Sequence, residues 1–329
     1  MIYIGLLGLT TSPTNNKESW LIIGAGAIGL LWYAKLTDLK LNVCLLHRRP
    51  TPLKHLTVEE DNQAAKGYPL CELAQYQEAD SNNNVKKQFD HIVFCTKSFD
   101  LINAYQTHKH RFSDTANLIT LCNGMGAQQS LNRIKHASQS LFVGTTSEGA
   151  LKLTDNKIKK TGPGQIYIGS FDSSRLPPAP LDHFFDKTIA EKLLTKLAIN
   201  AVINPLTACL KVTNGTLLNH DLANLYQACR DEVTHYFATY DFDEKALALN
   251  IDLVAKNTAN NRSSMLQDVT GNKQTEIDYI SGYLIRDAAK KAIKLPIQTL
   301  LMDLIIKNAD ASTSQTALLN LLTNLNQNN

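Results

Sequence analysis

The chain has 329 residues, of which 43% are hydrophobic and 19% are charged, and its formal net charge is +3. This composition is typical of a folded globular protein and excludes a disordered or collagen-like chain. So small a net charge gives no reason to expect nucleic acid or an anionic membrane as a partner, although it is compatible with a small anionic ligand. The length itself predicts two domains.

The first segment, residues 1–17, is an unusual extension. Its apolar stretch of about eight residues lacks the basic flank of a signal peptide, so we expect a short, poorly ordered extension before the first strand. Further along, no apolar stretch approaches the roughly 20 residues that a membrane helix needs, and we expect no membrane span.

Short apolar runs alternate with helical patterns through the first half of the chain. Helices are predicted over Ala27–Leu39 and Phe99–Thr107, between runs that are rich in β-forming residues. Alternation of this kind predicts βαβ units and a parallel sheet buried on both faces. The runs are WLIIG, LNVCLLH, HIVFCTK, NLITLCN, SLFVGTT and, closing this half, IYIGSF.

The first of these runs leads into a glycine motif. Gly24, Gly26 and Gly29 form G-x-G-x-x-G between a strand and an apolar helix, the context that a dinucleotide site requires. The first glycine permits the tight turn, the second lets the backbone approach a pyrophosphate, and the third lets helix pack on strand. Amides at the helix start then face the phosphates. A tight turn without a ligand is the alternative.

The end of the second strand indicates which dinucleotide is bound. An NAD site typically has an acidic residue there to bond the ribose 2′-hydroxyl, whereas this strand ends in His47, Arg48 and Arg49. A guanidinium suits a 2′-phosphate, so we expect NADP(H), held by Arg48 or its neighbour. Both arginines could instead be solvated loop residues.

Six cysteines are spread along the chain without a C-x-x-C pair, and the nine histidines add no zinc spacing. We therefore expect no metal site, and free thiols in a reducing, cytoplasmic setting. The cysteines are Cys44, Cys71, Cys95, Cys122, Cys209 and Cys229.

A domain boundary is predicted where three prolines follow the turn residues of SFDSSRLPPAPLDHF. We expect an α/β nucleotide-binding domain over 18–183 and an all-helical domain over 184–329. The predicted helices of the second domain are Lys187–Thr213, Leu217–Thr239, Glu244–Lys256, Glu276–Ala292 and Pro296–Asn308.

The predicted helix 187–213 is heavily apolar and carries one polar stripe. Lys196, Asn200 and Asn204 recur every four residues and therefore share a face. The stripe faces either water or a polar cleft, and Asn204 precedes Pro205, so backbone distortion is a further explanation for that residue.

Other polar residues admit structural explanations too. Glu276 begins a predicted helix, where a carboxylate is favourable, and Ser263 or Ser264 could cap the helix that follows. Lys97 and Asn123 follow predicted strands, where α/β sheets bind ligands but where turn residues are equally common.

Several longer stretches resemble the ketopantoate reductase family over nearly the whole chain from Trp20. The matching pieces are GAGAIG, CTKS, CNGMGAQ, KLAINAVINPLTA, NG at 214–215 and SSMLQDV…TEIDYISG. The resemblance implies a Rossmann-like domain followed by an all-α domain of the 6-phosphogluconate-dehydrogenase C-terminal type. It implies NADPH-dependent reduction of ketopantoate to pantoate in pantothenate biosynthesis.

The resemblance also implies roles for individual residues. It makes Lys196 the general acid and places Glu276 beside it, bonding the substrate hydroxyl and contacting the cofactor. It assigns Lys97 to the cofactor and Asn123 to both nicotinamide and substrate. The substrate pocket is completed by Asn200, Asn204, Asn261 and Ser264, and the cofactor turn by Gly24, Ala25, Gly26, Ala27, Ile28 and Gly29.

Two other functions stay open. One is a reductase of a different small α-keto acid, which would need the same carboxylate-binding and proton-donating residues. The other is a non-catalytic protein that senses the redox state of NADP(H), which would need neither Lys196 nor Glu276. The chain is expected to act as a monomer or homodimer on a small-molecule substrate.

Overall fold

A computed structural model describes residues 18–47, 54–71, 88–172 and 175–327. The extension over 1–17 and the arginines at 48 and 49 lie outside the described residues. The described chain divides into two compact units. Unit 1 contains the strands, and unit 2 contains helices together with segments 97–103 and 122–134.

The main sheet of unit 1 is built from the predicted apolar runs. Its six strands lie in the order β10-β7-β6-β5-β1-β2, and their inward side chains form the core of this unit. All neighbouring pairs are parallel except β10 with β7, which is antiparallel. The predicted α/β domain is thus confirmed, with one antiparallel edge strand. The strands are β1 (Ser19–Ile23), β2 (Asn42–Leu46), β5 (Phe89–Phe94), β6 (Phe112–Thr120), β7 (Ser140–Thr146) and β10 (Ile166–Ser170).

A second, four-stranded sheet was not expected from the sequence. Its strands pair in the order β4-β3-β9-β8. Helix α1 (Ala27–Asp38) contacts strands of both sheets, which explains why it is apolar almost all round. The strands are β3 (His55–Glu59), β4 (Lys66–Pro69), β8 (Gly149–Thr154) and β9 (Lys157–Gly162).

The hydrophobic core of unit 2 includes α4 (Ile189–Leu210), whose apolar residues Leu197, Ala201, Val202 and Leu206 are fully or almost fully buried. The expectation that no stretch could span a membrane was wrong by length and composition, because α4 has 22 residues and is apolar enough to cross one. Since 72% of its most apolar window is buried in the protein, it is a core helix.

The other helices predicted for the second half of the chain are present. The helix predicted from Glu276 begins only at Ser281, after a 3₁₀ turn over Ile277–Tyr279. A last helix, rich in serine, threonine and asparagine, was not predicted. The helices are α2 (Leu101–His108), α3 (Ala127–Ile134), α5 (His220–Ala238), α6 (Glu244–Asn257), α7 (Ser264–Thr270), α8 (Ser281–Lys290), α9 (Pro296–Ile306) and α10 (Ala311–Gln327).

Candidate active site

The three glycines of the turn after β1 have different surroundings. Gly24 has a φ of +109°, and a Cβ there would collide with the carbonyl of Cys95. A Cβ on Gly29 would collide with the carbonyl of Gly24, so helix α1 can pack closely on the turn only without a side chain. Gly26 differs from both, because a Cβ built on it meets none of the described residues within 4 Å. Open space at this position leaves the backbone accessible to a ligand.

The start of helix α1 suits an anion. Gly26 is its N-cap and makes no side-chain cap, and the first turn, beginning with Ala27 and Ile28, contains no acidic residue. The first backbone amides of a helix lack intrahelical partners and carry partial positive charge. Lys152 of β8 donates to the carbonyl of Ala25 at 3.1 Å and adds a cation beside the turn. These features fit the pyrophosphate of a dinucleotide.

Two loops bring polar residues together in unit 2. The segment after β5 contains Lys97 and Ser98, and the loop after β6 contains Asn123 and Gly124. Gly124 has a φ of +71° and lies against the backbone of Tyr279. The amide of Met125 donates to the Tyr279 carbonyl at 2.9 Å. These contacts fix the loop against the 3₁₀ turn that follows Glu276.

The carboxylate of Glu276 is the centre of this cluster and is only 4% exposed. Its Oε1 accepts from the backbone N–H of Ser98 at 2.9 Å and from the Ser98 hydroxyl at 3.0 Å. Its Oε2 accepts from Asn123 Nδ2 at 3.4 Å and from Lys97 Nζ at 3.5 Å. Four donors from two distant loops satisfy the buried charge, which a buried carboxylate requires. The structural explanation, in which this carboxylate stabilises the start of its own helix, is therefore not what is seen, because Glu276 makes no side-chain cap bond.

Lys97 binds a second acid. Its ammonium donates to Oδ2 of Asp268 at 2.6 Å, and Asp268 is only 8% exposed. Burial alone would lower the pKa of Lys97, but the charges of Glu276 and Asp268 outweigh it and raise that pKa. Burial raises the pKa of Asp268 in spite of the Lys97 ammonium. Lys97 is thus a fixed cation between two acids.

Lys196 lies half-buried on α4 and interacts electrostatically with Glu276. Desolvation lowers the pKa of its ammonium to about 8, and the negative charge of Glu276 opposes that shift. The amine of Lys196 is therefore protonated in most molecules at neutral pH, although its pKa is closer to neutrality than that of an ordinary lysine. Such a group can donate a proton readily.

The other expected substrate residues are less closely grouped in the structure. On the stripe of Lys196, Asn204 is 7% exposed and Asn200 is half-buried. Asn261 and Ser264 are exposed. The predicted helix cap is Ser263, whose Oγ accepts from the amide of Leu266. The exposed Ser264 hydroxyl is therefore not the cap.

Two residues of the cluster had no role in the sequence interpretation. Ser98 belongs to the quoted CTKS piece, and Asp268 to SSMLQDV. Asp268 lies one turn after Ser264 on the short helix α7, yet its partner Lys97 is 171 residues away along the chain. The sequence signal that could have identified Asp268 was an acidic residue on the apolar side of a short predicted helix. Among the described residues, no group of three or more histidine, cysteine or acidic side chains could hold a metal ion.

Of the three residues predicted to end the second strand near a 2′-phosphate, only His47 lies within the described residues. His47 directly follows β2, while Arg48 lies outside the described residues. His47 contributes a charge interaction with Asp155, which in turn pairs with Lys152 at 2.9 Å. His47 and Lys152 thus both interact with Asp155.

Comparison with known families gives two matches that together cover most of the chain. Residues 20–173 match the model of Ketopantoate reductase PanE/ApbA, and residues 188–309 match that of Ketopantoate reductase PanE/ApbA C terminal. The chain is similar to the 2-dehydropantoate 2-reductase of Vibrio cholerae, with 30% identity over 85% of this chain and 94% of the relative. It is also similar to that of Bacillus subtilis, with 31% identity over 83% of this chain and 91% of the relative.

Solved structures show the same fold. The probable 2-dehydropantoate 2-reductase panE of Bacillus subtilis has a TM-score of 0.70 at 26% identity, covering 88% of this chain and 99% of its own. A D-mandelate dehydrogenase with NADH and anilino(oxo)acetate has a TM-score of 0.74 at 18% identity, covering 90% and 99%. The family matches cover both halves of the sequence, including the glycine turn and the Lys97–Glu276 cluster, and the chain therefore belongs to the ketopantoate reductase family.

Proposed function

We propose that the protein reduces 2-dehydropantoate to pantoate with NADPH, in the biosynthesis of pantothenate. The observation that carries this proposal is the buried carboxylate of Glu276, which two loops surround with donors and which faces the charge of Lys196. A redox-sensing binding protein would have no use for a low-pKa lysine coupled to a buried acid. Membership of the ketopantoate reductase family supports the same conclusion.

Lys196 is the general acid in this proposal. Reduction of a ketone places negative charge on its oxygen, and an ammonium beside that oxygen stabilises the charge and then donates a proton. With its pKa lowered to about 8, Lys196 is charged at neutral pH and gives up its proton more readily than an exposed lysine.

Glu276 keeps that lysine charged and orients the substrate. Its negative charge raises the pKa of Lys196 against the effect of burial. The four donors from Ser98, Lys97 and Asn123 fix the carboxylate in one position. A carboxylate held in this way accepts the substrate hydroxyl in a defined direction.

The remaining polar residues are proposed to hold the substrate. Asn200 and Asn204 share the face of α4 that carries Lys196, and Asn123 is fixed by its bond to Glu276. Asn261 and the exposed Ser264 are proposed to bond the keto acid, with Ser264 at the carboxylate. Amide and hydroxyl groups suit an α-keto acid because each can offer hydrogen bonds without adding charge.

The cofactor is proposed to lie on the glycine turn of unit 1. Gly24, Gly26 and Gly29 and the first amides of α1 bind its pyrophosphate, and Arg48 binds its 2′-phosphate. Lys97 and Glu276 are proposed to contact it from their loops. When bound, NADPH supplies the hydride. We propose 18–183 as the NADP-binding domain and 184–329 as the catalytic domain of a cytoplasmic monomer or homodimer.

A panel of small α-keto acids tests the function. We expect NADPH oxidation to be fastest with 2-dehydropantoate, measured as kcat/KM by loss of nicotinamide absorbance. A higher kcat/KM with another α-keto acid, for example an aryl keto acid, would identify a different reductase on the same fold. NADPH binding without turnover of any member would support the sensing protein instead.

A further inference from the structure

Two of the six cysteines lie against each other in unit 1. Cys44 is on β2 and Cys71 follows β4, and their sulfur atoms are 3.2 Å apart. Cys44 is completely buried, whereas Cys71 is partly exposed. A buried thiol directly behind an accessible one is the arrangement of a resolving cysteine behind a reactive cysteine.

The backbone around Cys71 is held in place. Its carbonyl accepts from the amide of Leu45 at 2.9 Å, and its own amide donates to the hydroxyl of Tyr33 at 2.9 Å. That hydroxyl donates in turn to the carbonyl of Pro69 at 2.8 Å. Both polar backbone groups of Cys71 are therefore bonded beside β2, and the two side chains meet in a fixed setting.

Little movement separates the two thiols from a disulfide. A disulfide bond is about 2.05 Å long, so the sulfur atoms must approach by roughly 1 Å from the contact of 3.2 Å. The residues are neighbours through the hydrogen bond from Leu45 to Cys71, which suits the short span of a disulfide. Side-chain rotation at the accessible Cys71 can supply this approach.

The pKa of the partly exposed thiol is also lowered. The hydrogen bond with Cys44 lowers the pKa of Cys71 to about 7, although burial acts in the opposite direction. A substantial fraction is then thiolate at neutral pH, and the thiolate is the form that reacts with disulfides.

We propose that Cys44 and Cys71 form a redox modification site, which a low-molecular-weight disulfide such as glutathione disulfide converts reversibly into an intramolecular disulfide. The Cys71 thiolate attacks one sulfur of glutathione disulfide, forms a mixed disulfide and releases one glutathione thiolate. Cys44 then loses its proton and attacks the Cys71 sulfur, which releases the second glutathione. Two protein thiols are oxidised and one glutathione disulfide is reduced to two glutathiones.

The site lies next to the nucleotide turn of the same unit. The amide of Gly24 bonds the carbonyl of Leu46, two residues after Cys44 on β2, at 3.4 Å. The oxidised and reduced forms therefore differ in a strand that supports the glycine turn.

Incubation of the full-length protein in glutathione buffers tests the site. In buffer rich in glutathione disulfide we expect two of the six thiols to be lost to thiol reagent after denaturation, and to return with excess glutathione. Digestion with trypsin separates residues 41–48 from 67–86, and each peptide contains one cysteine. The oxidised sample should yield these two peptides linked.

Variants separate the two roles. Cys44→Ser should accumulate one glutathione on Cys71, because the resolving thiol is gone, and Cys71→Ser should prevent both the adduct and the crosslink. Cys95→Ser, which removes another partly exposed thiol, should still form the crosslink. Retention of all six thiols by the unsubstituted protein, or a linked pair other than 41–48 with 67–86, would overturn the proposal without any variant having to fold.

Discussion

Ser98 contacts Oε1 of Glu276 with its backbone N–H at 2.9 Å and with its hydroxyl at 3.0 Å, and the same hydroxyl also contacts the carbonyl oxygen of Asn123. Ser98 and Glu276 are 178 positions apart in the chain. The other oxygen of the carboxylate is left to Asn123 and Lys97. This division of donors holds the acid in one orientation beside the charge of Lys196.

Replacement of Lys196 tests the general acid. We expect Lys196→Ala to lower kcat by about 10²- to 10⁴-fold, the usual contribution of general acid catalysis, with a smaller change in the dissociation constant of NADPH. Lys192→Ala is the control, because Lys192 is also half-buried and lies one turn earlier on α4. A near-normal kcat for Lys196→Ala in steady-state assays would exclude the assignment.

The pH profile of kcat tests the coupling of Lys196 to Glu276. Only the protonated amine can donate, so kcat should be constant below the pKa of about 8 and should fall as the pH rises through it. In Glu276→Gln the charge that raises this pKa is absent, and the fall should begin at lower pH. Asp278→Asn, a nearby exposed acid that pairs with Arg286, should leave the midpoint in place. An unshifted midpoint in Glu276→Gln would contradict the coupling.

Two alanine substitutions in the glycine turn should affect different properties, one the binding of NADPH and the other the stability of the fold. Gly26→Ala places a methyl group in open space at a φ of −76°, so the melting temperature should hardly change. The dissociation constant of NADPH should rise at least about tenfold, because the methyl group meets the approaching pyrophosphate. Gly29→Ala should lower stability by about 1–3 kcal/mol through overlap with the Gly24 carbonyl. Calorimetric titration and thermal melts measure both effects, and unchanged NADPH binding by Gly26→Ala would move the site elsewhere.

Substitution of the arginines after β2 tests the proposed basis of the preference for NADPH. We expect Arg48→Ala to weaken NADPH binding by about tenfold or more while NADH binding changes little, since only NADPH carries the 2′-phosphate. Arg49→Ala is the matched variant and shows which guanidinium binds. If neither substitution alters the ratio of the two dissociation constants, both arginines are solvated.

Glu232 should make stability depend on pH. Its carboxylate accepts from the amides of Ile297 and Gln298, both at 2.9 Å, at the start of α9. Burial raises its pKa from 4.5 to about 7 despite these bonds. The folded protein therefore retains a proton that the unfolded chain has lost, and stability should fall as the pH rises from about 4.5 to 7.

Glu232→Gln should remove that part of the pH dependence, about 1–3 kcal/mol across the window. Glu191→Gln, at an exposed position on α4, should retain it. Thermal melts at pH 5 and pH 8 compare the three proteins. An equal change of melting temperature between pH 5 and pH 8 in wild type and Glu232→Gln would show that other groups determine the pH dependence of stability.

The sequence predicted those parts of the fold that depend on local pattern. Continuous apolar runs predicted the six-stranded sheet, and glycines between strand and helix predicted the turn before α1. The four-stranded sheet was missed because its strands are short and bury only alternate residues, as in His55–Glu59. Helix α10 was missed because serine, threonine and asparagine have weak helix propensity.

The site was predictable only where a motif carried it. Glu276 was first explained as the start of a helix, and only the family resemblance gave it a role. Its fourfold bonding depends on residues about 150 to 180 positions away. The Lys97–Asp268 pair likewise joins residues that are far apart in the chain, at a separation of 171 positions. Pattern along a chain cannot reveal partners that only the tertiary structure brings together.

Segments 97–103 and 122–134 lie within the α/β half of the sequence yet cluster with the helical unit. No single cut in the chain can therefore separate the two units intact. A fragment starting at residue 190 would carry Lys196 and Glu276 but would leave that acid without Ser98, Lys97 and Asn123. Recombination between relatives at one boundary near residue 190 would likewise take Lys196 and Glu276 from one parent and the donors to Glu276 from the other, so an exchange that keeps unit 2 whole needs three segments, 97–103, 122–134 and 190–329.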